Sequence, residues 1–232
     1  FFLPASVTIG SGGVAQPTSS YSVVASGGFN VDTGVANTIS LKAPPGATVV
    51  NPLTTLVQAV LVANPTQSAA QASRAVATSL GLDTNLDLQK FDPIAVLSST
   101  SGPPSEADLA AQNAALKAQK AAVTVVTMTS IAGGAQQGSV AKDAQSSIIS
   151  SFANQLVDAA SNGSVLDLGS STVLGKVINA SKTATFEVSA SDQAKLADAV
   201  GQIATSTSLD AVRNVQTKFL DTVAPAPPLR LE

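Results

Sequence analysis

At Asn51-Pro52 the punctuation of the chain changes, and this limits the fold more than any other feature of the sequence. Before it, Val7 and Ile9, Tyr21 and Val23, and Ile39 and Leu41 alternate with small polar residues. Gly10-Ser11-Gly12-Gly13, Gly27-Gly28 and Pro44-Pro45-Gly46 lie between them. Alternation with period two between turn residues is the pattern of short strands. A segment of roughly 45 residues is too small for an independent sandwich, so residues 1–50 are expected to pack against the helical remainder of the chain.

After the change the signals are helix starts. Asn51-Pro52, Asn64-Pro65 and Asp92-Pro93 each place a side-chain acceptor where an N-cap belongs, with proline at the first helical position. Proline costs nothing there, because its missing N–H would be unpaired anyway. Leu53, Leu56, Val57, Val60 and Leu61 share one helical face, and Ala69, Ala72, Val76 and Leu80 share another, closed by Gly81. Ser105-Glu106-Ala107-Asp108 reads as a capping box whose helix runs to about Ala132, where Gly133-Gly134 should stop it. The β-branched run Val123, Val125, Val126, Thr127, Thr129 and Ile131 resembles a strand, but no turn interrupts the helix before it.

Val140, Ala144, Ile148, Ile149, Phe152, Leu156 and Ala159 form a continuous stripe ending at Asn162-Gly163. A short helix is expected around 172–181 and an extended piece over 183–188. Ser189-x-x-Asp192 and Thr207-x-x-Asp210 then open two more helices. No fixed-period repeat is present. The prediction is a mainly α chain, a bundle of about six or seven helices with a small β-rich N-terminal part. Its expected divisions are 1–50, a main helical domain at 51–164, a helical extension at 165–223 and a Pro-rich tail at 224–232.

Composition narrows the chemistry. Apolar residues make up 44% but aromatics only 3%, so the core must be built from small side chains. Charged residues are 12% and the net charge is −3, with no basic stripe, which argues against nucleic acid as a partner. Cysteine is absent, excluding disulfides and thiolate metal sites. A Ser/Thr/Ala/Gly-rich, lysine-poor chain leans toward the outside of the cell. The longest uncharged apolar stretch, 121–132, is too short to span a bilayer. Phe1-Phe2-Leu3-Pro4 and the Pro-rich end both read as cut edges.

Histidine is absent too, which removes the usual general base, nucleophile activator and zinc ligand. Glu106 and Glu187 are the internal glutamates, and Glu106 reads as first-turn helix charge. Asp83-x-Asn85-x-Asp87 matches the opening of a calcium loop, then places Leu88 where glycine is needed and Ile94 where a bidentate glutamate is needed. A polar turn after the Gly81 cap accounts for the same residues. Calcium on Asp83, Asn85 and Asp87 is the one cofactor candidate. Lys117 and Lys120 read as a solvated helix face.

The stretch Leu41-Lys42-Ala43-Pro44-Pro45-Gly46-Ala47-Thr48-Val49-Val50, running into Asn51-Pro52-Leu53-Thr54-Thr55-Leu56-Val57, resembles a junction found in large bacterial surface or secreted proteins. These include adhesin-like, type I-exported and calcium-binding-repeat polypeptides. The likeness covers roughly residues 30–95 and extends through the helices toward Gly163. It implies a structural or stalk-type module without catalytic residues, at the cell surface or outside the cell. Its partners would be other modules of the same polypeptide, or further copies of itself. The rival expectation is a helical carrier for an apolar small molecule, motivated by the uncharged stretches at 53–63 and 121–132.

Overall fold

Asn51 begins the helical part as its spacing predicts. Its side chain accepts from the Thr54 N–H at 2.9 Å, and the Thr54 hydroxyl accepts from the Asn51 N–H at 2.9 Å. This reciprocal pair satisfies two of the N–H groups that every helix start leaves open. The helix α1 spans Pro52–Ala63 and buries Leu53, Leu56, Val57 and Val60 completely.

The computed structural model describes residues 7–9, 15–17, 22–28, 37, 39–99, 104–135, 138–184 and 186–223. Among them, β1 (Val7–Ile9) pairs antiparallel with β2 (Ala15–Pro17), and β3 (Val23–Ala25) pairs antiparallel with β4 (Leu41–Ala43). The expected strand residue Tyr21 lies outside the described residues. The other helices are α2 (Ala69–Ser79), α3 (Pro93–Ser98), α4 (Glu106–Ala135), α5 (Gly138–Ser161), α6 (Ser171–Ser181), α7 (Ala190–Thr205) and α8 (Leu209–Val223). The chain is therefore a mainly helical bundle with a small β part, with eight helices among the described residues.

The local differences from expectation have physical causes. Asn64-Pro65 does not start α2. Asn64 instead closes α1, donating its N–H to the Val60 carbonyl at 2.8 Å. The start moves to Ser68, which shares a reciprocal cap with Gln71 at 3.2 and 2.8 Å, whereas Asn64-Pro65 offers a cap on one side only. Likewise α8 begins one residue later than Thr207 suggests, because the Ser208 hydroxyl accepts from the Ala211 N–H at 3.2 Å. Gly133-Gly134 does not end α4, which continues to Ala135. Glycine in a helix costs roughly 1 kcal/mol per residue and does not forbid it. Gly81 and Gly163 do close their helices, with φ of 61° and 63°. At Gly81 the Leu82 N–H reaches back to the Ala77 carbonyl at 2.8 Å.

Helices α4 and α5 pack against each other at the centre. Helices α1, α2 and α6 pack on α5, while α3, α7 and α8 pack on α4. One buried cluster runs from Leu53 to Phe219, so residues on both sides of position 164 share it. Alanines fill the close approaches, among them Ala72, Ala118, Ala132, Ala144 and Ala153, while Met128, Phe152 and Phe186 fill the wider gaps. The β-branched half of α4 is helical, and its threonines explain how. Thr127 and Thr129 donate to the carbonyls of Val123 and Val125 at 2.8 and 2.7 Å, so their buried hydroxyls are satisfied within the helix. In place of a plain extended piece, Thr183 and Phe186 bridge each other across a tight turn, which delivers Phe186 and Val188 to the core.

Candidate functional site

The junction that carries the resemblance is a clamp. Thr54 and Thr55 sit in the first turn of α1, fully or nearly fully buried. Both hydroxyls lie on the carbonyl of Lys42 in β4, at 3.0 and 3.1 Å, and the Lys42 N–H donates to Thr55 Oγ1 at 2.8 Å. The edge of the β3–β4 hairpin is thus closed by two threonine side chains instead of a third strand. Asn51 adds a bond from its Nδ2 to the Phe91 carbonyl at 3.3 Å, and the Thr48 N–H reaches the Gln89 carbonyl at 2.9 Å. One short motif therefore ties β4, α1 and the 83–92 loop together.

The calcium-like residues remain at the surface. Asp83 Oδ1 accepts from the Asn85 N–H at 2.9 Å and from Asn85 Nδ2 at 3.2 Å. Asp87 Oδ1 accepts from the Gln89 N–H at 3.1 Å, and its other oxygen lies 3.6 Å from the Lys90 ammonium. Each aspartate closes its own turn. Leu88 is fully buried, its N–H bonded to Ser73 Oγ at 3.1 Å, and Ile94 is already inside α3. Among the described residues no group of three or more His, Cys, Asp or Glu side chains comes together as a metal site.

Lys117 and Lys120 do more than solvate a helix face. Lys117 Nζ donates to the Gly81 carbonyl beyond the end of α2, and Lys120 Nζ donates to the Ala204 carbonyl in the last turn of α7 at 3.0 Å. Both cations meet the negative end of a neighbouring helix, where unpaired carbonyls collect. Spacing along α4 could not reveal partners 36 and 84 residues away.

The described carboxylates are exposed or half-buried, and many sit at helix starts. The Ser105 hydroxyl at 2.6 Å and then its N–H at 2.9 Å hold the Asp108 carboxyl below its ordinary value. The Ser189 hydroxyl at 2.8 Å, then Lys195 at 3.1 Å, do the same for Asp192. Lys182, hydrogen-bonded at 2.8 Å, lowers Glu187. Of the described carboxylates, Asp92 alone borders either of the two clefts beside the clamp.

Two clefts flank the clamp. One, of about 300 Å³, lies between β3, α1 and α5 and is bordered by Lys42, Gln58 and Lys142. The other, of about 440 Å³, lies between the β4 segment, α3, α4 and α8 and is bordered by Ile39, Val126 and Gln216. Gln216 does not stand out among the candidate residues of the sequence. Its signal is a polar residue inside the buried stripe of α8, four after Val212 and three before Phe219.

The chain matches no protein-family model, no curated protein and no solved structure.

Proposed function

We infer that this chain is a non-catalytic structural or adhesive module of an extracellular bacterial protein, working alongside other modules of the same polypeptide or further copies of itself. The supporting observation is how the junction side chains are used. Asn51, Thr54 and Thr55 cap α1 and hold Lys42, while Leu53, Leu56 and Val57 fill the core. Every one of these residues serves the joint between the hairpin and the bundle. A motif spent wholly on rigidity suits a segment that must hold a fixed shape between neighbours.

The composition agrees with this reading. Surface carboxylates committed to helix starts and turns are poor candidates for acid–base work, which needs a group poised near neutral pH in a cleft. No described helix is long and apolar enough to cross a membrane. A carrier for an apolar ligand has less support as a reading of these stretches themselves, because at 53–63 and 121–132 the side chains of Leu53, Leu56, Val125 and Met128 are buried in the helical core. Antibody labelling of intact source cells tests the location. Equal signal before and after permeabilisation is expected, and signal that needs permeabilisation would overturn the reading.

A further inference from the structure

Helix α8 turns one face to the bundle, and three residues of that face are buried: Val212, Gln216 and Phe219. Two belong in a core. The third is a carboxamide with two donors and an acceptor, held in a residue only 4% exposed. That carboxamide lies at the border of a cleft, whereas the hydroxyls of Thr54 and Ser79 bond main-chain carbonyls.

Gln216 borders the 440 Å³ cleft, where α4 brings Gln119, Val123 and Val126 opposite it and Ile39 and Ile94 form further walls. The volume lies within the range of small-molecule sites, and an apolar lining with a few polar groups is their usual composition. The charge of the lining selects the ligand class. Among the described residues the lining holds no cation, and its one anion, Asp92, is already bonded to the N–H groups of Ile94 and Ala95 at 3.0 and 3.1 Å. An anionic ligand would find no counter-charge.

We propose that this cleft binds an uncharged small molecule with an apolar body and an amide or hydroxyl head, the head pairing with the carboxamide of Gln216. The proposal goes beyond the module reading and does not depend on it. A structural module can carry such a site, and the clamp would stand without one.

The test is methyl and side-chain-amide NMR of the full 232-residue chain, titrated with acetanilide, benzoate and toluene. Acetanilide should give saturable shifts at Val123, Val126 and the Gln216 amide, and benzoate should give none there. Gln216→Leu should weaken acetanilide by about tenfold or more and leave toluene unchanged or tighter. Should Gln216→Leu fail to fold, Val126→Trp fills the cleft with Gln216 in place and should abolish binding of both neutral probes. Unchanged acetanilide affinity in Gln216→Leu or in Val126→Trp would overturn the proposal. So would shifts scattered over the bundle, stronger binding of benzoate, or no saturable shift with any probe.

Discussion

Single residues decide where this chain turns. Gly81 holds φ at 61° after α2, and a Cβ built there would lie 3.0 Å from both Lys117 Nζ and Val165 Cγ1. The lysine end can swing away, but Val165 and the left-handed backbone cannot adapt as easily. Gly81→Ala should therefore cost about 1–2 kcal/mol, read by chemical denaturation. The need for glycine at this position was legible, because Gly81 follows an apolar stripe that ends at Leu80. The need for Thr54 and Thr55 to face Lys42 was not. Their place in the first turn of a helix follows from Asn51-Pro52, but a hydroxyl's partner in a strand twelve or thirteen residues earlier depends on how that strand folds back.

Among the elements, caps explain both the successes and the errors of the sequence reading. Asn51, Asp92, Ser105 and Ser189 start helices as expected, because acceptor and N–H are neighbours in sequence. Asn64-Pro65 misled because proline also suits the turn that ends a helix. Ser68→Ala should cost about 1 kcal/mol, while Pro65→Ala should change α2 little, both measured by thermal melts. Carboxylates at two of these starts also set the acid response. Asp108 and Asp192, together with Glu187, titrate lower in the folded chain than in the unfolded one. Their contribution is complete above the ordinary carboxyl range and is lost as pH falls through the lowered folded values. The melting temperature should drop between about pH 6 and about pH 3, and Asp192→Asn should make that drop smaller.

For the whole molecule, small side chains allow close helix approach and leave a few large ones to fill what remains. Phe152, fully buried on α5, belongs to the cluster that also holds Leu53, Leu196 and Phe219. Phe152→Ala should cost about 3–5 kcal/mol and give a single transition in which α1 and α7 melt together, followed by residue-resolved amide signals. Two separate transitions would mean that the regions before and after position 164 are independent. The helical class of the fold was legible from stripes and caps. The two clefts were not, since each is assembled from elements far apart in sequence.

Thr54 and Thr55 fasten the β3–β4 pair to α1, and native-state hydrogen exchange at the Lys42 amide reads that clamp out. That N–H donates to the buried Thr55 hydroxyl at 2.8 Å, so it should exchange as slowly as the amides of α1. Thr55→Val should release Lys42 and the β3–β4 pairing to fast exchange while α1 stays protected. A Lys42 amide that exchanges quickly in the unaltered chain, or one that Thr55→Val does not affect, would contradict the account.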